Sequence, residues 1–321
     1  GSKIRSIWYN NIILRQLMRK PVVNFDLMHL LIDTKRYLNS IIWNSNIKYA
    51  FAVGSFLDSH AMDNDHICLS FTGEDNRIGK KNADKINIKS EFVCVHARDS
   101  AFYPGISSFD SFRNIRFENY LDACRYLESE RIQSVRMGAK QQEIEKKLLT
   151  KNIIDYSTKH RTDFMDIWLI ANCKFFLGSN SGLFYVAYLF NKSCALLNLA
   201  SFLYALPMRK NDISLPQKIW SKEKKRFLTF KEIAEYDIGL DCWDQIRYEK
   251  EGMECVSSTP DEILDLTKEM NDIIDHKYQY TEEDNYLQQK FRSIFKVYHA
   301  PYHSPARVGR EFLKQNKELF L

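Results

Sequence analysis

Phe92-Val93-Cys94-Val95-His96-Ala97-Arg98-Asp99 is the stretch that decides the fold. Its first five residues form a short apolar run, which predicts a buried strand. Arg98 and Asp99 follow at once, and a charged pair cannot lie unpaired deep in a core. The strand therefore ends there, and the two charges stand at the mouth of a sheet. An arginine in that position can fork onto a phosphate with two parallel hydrogen bonds. The bland alternative is an Arg98–Asp99 contact that only finishes the strand. Position does not separate the two.

Outward from this run the pattern repeats. Phe117, Tyr120, Leu121, Cys124 and Leu127 recur at helical spacing. Ile132 to Met137 reads as a second strand closed by Gly138, Gln141 to Leu149 as helix, and Ile153 to Tyr156 as a third strand. Thr162 can cap a helix through Ala171, with Asp163 and Asp166 in its first turn, where the dipole favours acids. Phe175 to Gly178 is a fourth strand, Leu183 to Phe190 an apolar helix and Cys194 to Leu199 a fifth strand. Strand and helix thus alternate about five times over some 110 residues. That predicts an α/β fold with a parallel sheet covered on both faces, its ligands at the carboxyl ends of the strands. Helices are expected after the capping signal Thr259-Pro260-Asp261-Glu262, from Glu282 to Tyr298, and from Ser304-Pro305 to the end.

The chain has 321 residues, more than one core ordinarily organises, so two lobes are expected. Residues 1–90 would be the first lobe, 91–255 a Rossmann-like lobe and 256–321 C-terminal helices packing across both. Residues 70–90 are polar and lysine-rich and read as a surface connection. No apolar run reaches the roughly 18 residues of a bilayer span, and no signal-peptide pattern is present. Gly1-Ser2 looks like a cloning scar, which leaves room for an anchor or further residues ahead of Lys3. A net charge of +5 fits an anionic ligand or a membrane surface and is too weak to argue for nucleic acid. The stretch from Lys3 to Lys20 interleaves apolar and basic residues; it reads as a packing helix or as one lying on a membrane surface. Seven cysteines, an odd number without CxxC, indicate neither a disulfide framework nor a zinc cluster. A cytoplasmic chain is expected, at the inner face of the membrane if Lys3 to Lys20 binds there.

Two more segments can carry chemistry. Gly178-Ser179-Asn180-Ser181-Gly182 lies between a strand and an apolar helix. Small hydroxyls and free N–H groups there suit an anion, and five such residues exceed what a plain helix cap needs. It is neither a P-loop nor a dinucleotide fingerprint, since GK[ST] and GxGxxG are absent. Arg136-Met137-Gly138 puts a cation and a turn glycine at a strand end, in a ligand role or an ordinary connection. Arg113 and Asn114 stand in a polar loop. Asp63-Asn64-Asp65 resembles a metal-holding DxD pair but reads better as a polar turn. The eight histidines show no metal-ligand spacing, so no metal is expected.

These motifs in this order resemble a family of bacterial glycosyltransferases linked with surface polysaccharide synthesis. The likeness spans roughly residues 70 to 235. More remotely, His96-Ala97-Arg98-Asp99 is similar to the His-x-Arg motif of α1,6- and protein O-fucosyltransferases. There the arginine contacts the donor diphosphate and a serine-rich strand-to-helix turn completes the site. Asp99 stands where many of those enzymes have a second arginine, so the resemblance does not fix the donor as GDP-fucose. It implies a GT-B arrangement of two Rossmann-like lobes that moves a sugar from a nucleotide sugar to a glycan or lipid-linked acceptor, without a metal or other cofactor and with inversion. On that reading Arg98, Arg113, Asn114, Arg136, Gly138, Ser179, Asn180, Ser181 and Gly182 bind the donor, and Asp99 or His96 is the base. The alternative is a sugar-nucleotide or glycan-binding protein on a degenerate transferase fold.

Overall fold

The computed structural model describes residues 69–99, 111–139, 142–200, 202–203, 209–240, 244–297 and 299–321. The stretch Lys3 to Lys20 and Asp63-Asn64-Asp65 lie outside them. A seven-stranded, wholly parallel sheet organises the chain from residue 92 onward. Its strands are β1 Phe92–His96, β2 Gln133–Arg136, β3 Ile153–Ile154, β4 Phe176–Ser179, β5 Cys194–Leu199, β6 Ile213–Pro216 and, after three others, β10 Arg307–Val308. They lie in the order β10-β6-β5-β4-β1-β2-β3. All five residues of β1 are buried, as expected of a central parallel strand with both faces covered. β1 pairs with β2 on one side and β4 on the other, so the strand order reverses between β1 and β4. That reversal is the topological switch point of a doubly wound sheet, where ligands of such folds bind.

Eleven α-helices are found among the described residues. They are α1 Gly73–Lys85, α2 Leu121–Ser129, α3 Tyr156–Lys159, α4 Asp163–Asn172, α5 Phe184–Leu189, α6 Phe230–Glu235, α7 Gln245–Lys250, α8 Pro260–Ile274, α9 Glu282–Ser293, α10 Ala300–His303 and α11 Arg310–Gln315. α4 packs between α1 and α5, while α2 packs against α8, which also touches β5, β6 and α11. A separate antiparallel sheet has the order β8-β7-β9, from Arg226–Phe227, Lys218–Ser221 and Met253–Val256.

The structure differs from the sequence reading in five places. The third strand, expected to run to Tyr156, stops at Ile154, and Tyr156 instead opens α3. The polar stretch after Thr72 is a helix, not a surface connection. A reciprocal Thr72–Asp75 capping box starts it, and Gly79 lets it close on the Trp168 indole. A Cβ at Gly79 would come within 2.2 Å of that ring. Within 142–149 the chain is helical only over the 3-10 turn Lys146–Leu148, whose residues bury no side chain. α9 ends at Ser293 rather than at Tyr298. The helix expected from Ser304-Pro305 onward gives way to β10, then Gly309 against Leu215 and Leu266, then the short α11. The C-terminal segment therefore adds both helices and an edge strand to the main sheet.

Candidate functional site

Register brings the sequence candidates to one edge of the sheet. His96 stands opposite Gly178, and Val95 opposite Arg136. The residues that follow these strands, Ala97-Arg98-Asp99, Met137-Gly138 and Ser179-Asn180, thus emerge side by side at the switch point. Gly178 is required for this closeness: a Cβ there would sit 2.8 Å from the His96 carbonyl oxygen. Its close approach is to a neighbouring strand.

Ser179 ends β4 fully buried, and its hydroxyl accepts the Arg98 backbone N–H at 2.9 Å. It is a tie across the switch point, not a surface of the crevice. Asn180 and Ser181 are half-buried and Gly182 is exposed. The helix after them, α5, is only six residues long and has no side-chain cap. The polar groups of the turn, more than a macrodipole, are what a ligand would meet there.

Arg98 is half-buried, and its guanidinium Nη1 donates to Asn114 Oδ1. Its carbonyl accepts the Ile115 N–H at 2.9 Å, which holds the segment around Asn114 beside it. Arg113, on the neighbouring 3-10 turn, lies near the Phe112 ring, 5.8 Å from its centroid. Asp99 accepts the Gln142 N–H at 2.9 Å. Residues 100–110 and 140–141 lie outside the described structure.

Arg136 is turned inward, with 2% of its surface exposed. It donates to the Gln142 carbonyl at 2.6 Å, pairs with Asp155 at 3.4 Å and lies 5.1 Å over the Phe117 ring. Its Nε finds no hydrogen-bond partner among the described residues. Asp99 and Arg136 thus hold the N–H and the carbonyl of Gln142, two successive peptide groups. Gly138 turns that loop at φ 130°, a conformation side chains resist.

His96 is buried, and its Nδ1 lies 3.1 Å from the Met137 carbonyl. A carbonyl can only accept, so Nδ1 carries the proton and Nε2 the lone pair. Burial pushes the imidazole down to about 4, against the bond to Met137. His96 is therefore neutral near pH 7 and a weak base there.

Several polar residues that sequence reasoning passed over complete the edge. Tyr120 donates to the His96 carbonyl at 3.2 Å. Asn198 of β5 accepts the Ser258 N–H at 2.8 Å and donates to the Ser257 hydroxyl at 3.3 Å. Ser257 donates in turn to the Asn114 carbonyl at 3.3 Å. A lone asparagine in Cys194-Ala195-Leu196-Leu197-Asn198-Leu199 was the available signal. Among the described residues no cluster of side chains suited to a metal is present, and no helix is long and apolar enough to cross a membrane.

No protein-family model matches this chain, nor does any curated protein or solved structure.

Proposed function

We propose that the protein is a glycosyltransferase that uses a nucleotide-sugar donor, with a GT-B arrangement in which the described sheet is the donor lobe. The observation that carries this reading is that Arg98 follows β1 and is tied through its backbone N–H to Ser179, the residue before the Asn180–Gly182 turn, at the β1/β4 switch point. Breaking the sugar C1–oxygen bond leaves negative charge on a nucleoside diphosphate. A preorganised guanidinium and polar turn stabilise that charge. The acceptor hydroxyl, from a glycan or a lipid-linked glycan, attacks C1 from the opposite face, which inverts the configuration, and loses its proton to a base. Asp99 suits the base role better than His96, because it is half-buried while His96 is buried and weakly basic. The positive charge comes from arginine, so the reaction needs no metal. Lys3 to Lys20 would hold the enzyme at the inner face of the membrane, near such acceptors.

The second reading, a non-catalytic binder of sugar nucleotides, is favoured by one observation: Asp99 is already engaged by the Gln142 N–H. Thermal shift against GDP-, UDP-, dTDP- and CMP-sugars tests the shared part, and slow donor hydrolysis tests the rest. Stabilisation by one donor with release of its nucleotide supports a transferase. Stabilisation without hydrolysis or transfer supports a binder. No stabilisation by any of them overturns both.

A further inference from the structure

Asn198 is an unusual residue for the interior of a parallel sheet. It is polar, 0% exposed and sits at φ 55°, in the left-handed region that non-glycine residues seldom occupy. The register explains how it is held. Leu196 pairs with Ser214 and Leu199 with Pro216, so three steps along β5 match two along β6. The extra residue is a bulge, a device that re-aims a side chain beside functional sites. Here it aims the Asn198 amide at Ser257 and Ser258, the two residues before the N-cap of α8.

The bonds converge on Asn114 from two sides. Asn198 Nδ2 donates to Ser257 Oγ, Ser257 donates to the Asn114 carbonyl, and Asn114 Oδ1 receives the Arg98 guanidinium. Two further bonds fasten the same loop: Asn119 Nδ2 to the Ser258 carbonyl at 3.4 Å, and Gln217 Nε2 to the Phe112 carbonyl at 2.9 Å. The loop that carries Arg98's partner is thus anchored to the β5–β6 half of the sheet, across the switch point from β2. Strain at a buried polar residue persists only where its surroundings over-determine it. An arginine that must meet a diphosphate in one orientation is a reason to over-determine this one.

We propose that Asn198 and Ser257 are positioning residues that fix Arg98, through Asn114, for a diphosphate group at the switch point. This rests on the donor reading above. The test is calorimetric titration of the full chain with GDP and with UDP. Ser257→Ala should weaken nucleotide binding about fivefold, the value of one ordinary hydrogen bond. Ser257→Thr, which keeps the hydroxyl, should restore it. In an Arg98→Ala background the same Ser257→Ala change should have no effect, because the relay acts only through Arg98. An equal loss in both backgrounds, or no loss in either, would overturn the proposal. A ligand-free measurement separates this from failure of the donor reading. Asn198→Gly tolerates the positive φ but deletes the amide, so hydrogen exchange across 111–120 should speed up at least about tenfold relative to β1. Unchanged exchange sinks the relay whatever the nucleotides do. Binding of neither nucleotide by the unaltered protein, with faster exchange in Asn198→Gly, overturns the diphosphate role alone.

Discussion

The backbone N–H of Arg98 donates to the hydroxyl of Ser179 at 2.9 Å, across the point where the strand order reverses. This bond joins the two segments singled out for phosphate chemistry, yet it uses a backbone amide and a fully buried hydroxyl. Ser179→Ala leaves that amide without its partner, at a cost of about 1–3 kcal/mol. Urea unfolding of the variant should show this loss, with nucleotide affinity falling alongside. Unaltered stability would mean that β1 and β4 are held without the tie.

Gly178 and Gly182 belong to one motif but should fail differently. A Cβ at Gly178 meets the His96 carbonyl oxygen at 2.8 Å and a Phe176 ring carbon at 2.9 Å. The first is backbone in a fully paired strand and cannot step aside. Gly178→Ala should therefore destabilise the apo protein by about 1–3 kcal/mol. Gly182 is exposed, so Gly182→Val should leave apo melting unchanged while weakening nucleotide binding. Equal melting losses in both variants would reduce the turn to a packing element.

Arg98 is expected to contact the donor phosphates. Arg98→Ala should cost about 1.5–3 kcal/mol of binding, the range for a hydrogen bond to a charged group. Arg98→Lys keeps the charge but loses the planar fork, and should already be impaired. Nucleotide titration of the folded variants checks both. Wild-type affinity in Arg98→Ala would move the site elsewhere.

The central strands were legible because both faces of β1 and β5 are buried, which leaves near-continuous apolar runs. Arg98 and Asn180 were legible because a charge or amide directly after such a run has only the sheet edge to occupy. α1 was missed because it buries only Gly79 and Ala83, so its sequence lacks an apolar stripe; its capping box was the readable signal. β10 is two residues long and has meaning only once β6 lies beside it. The inward turn of Arg136 was not legible at all. It depends on Asp155 and on the carbonyl of Gln142, which the fold brings together.

Transfer should not depend on a divalent ion. On the proposed reading Arg98 would supply full charge to the diphosphate, and Asp63-Asn64-Asp65 precedes in sequence the sheet that carries the candidate site. Activity should persist in EDTA, and Asp63→Asn should be nearly silent. Loss in EDTA that Mn²⁺ or Mg²⁺ restores would argue against the GT-B reading itself.

Away from the site, Glu269 gives the fold a pH dependence with a definite sign. It lies buried in α8, where Tyr280 donates to Oε1 at 2.7 Å and the Arg310 N–H to Oε2 at 2.7 Å. Arg307 covers the Tyr280 ring at 3.6 Å, and Arg310 lies 3.7 Å over Tyr278 and 3.9 Å from Asp272. Burial nevertheless dominates, lifting the carboxyl from 4.5 to about 7 against those bonds and charges. The native state then holds a proton that the unfolded chain has lost between these two values. This contribution is whole below pH 4.5 and fades as pH rises through 7. At 1.36 kcal/mol per pKa unit it amounts to about 3 kcal/mol. Glu269→Gln keeps an acceptor and cannot titrate, so its stability should fall less than that of the unaltered protein between pH 5 and 8. Chemical unfolding at a series of pH values reads the difference, and parallel curves for the two proteins would show that Glu269 ionises in the native state at its ordinary value.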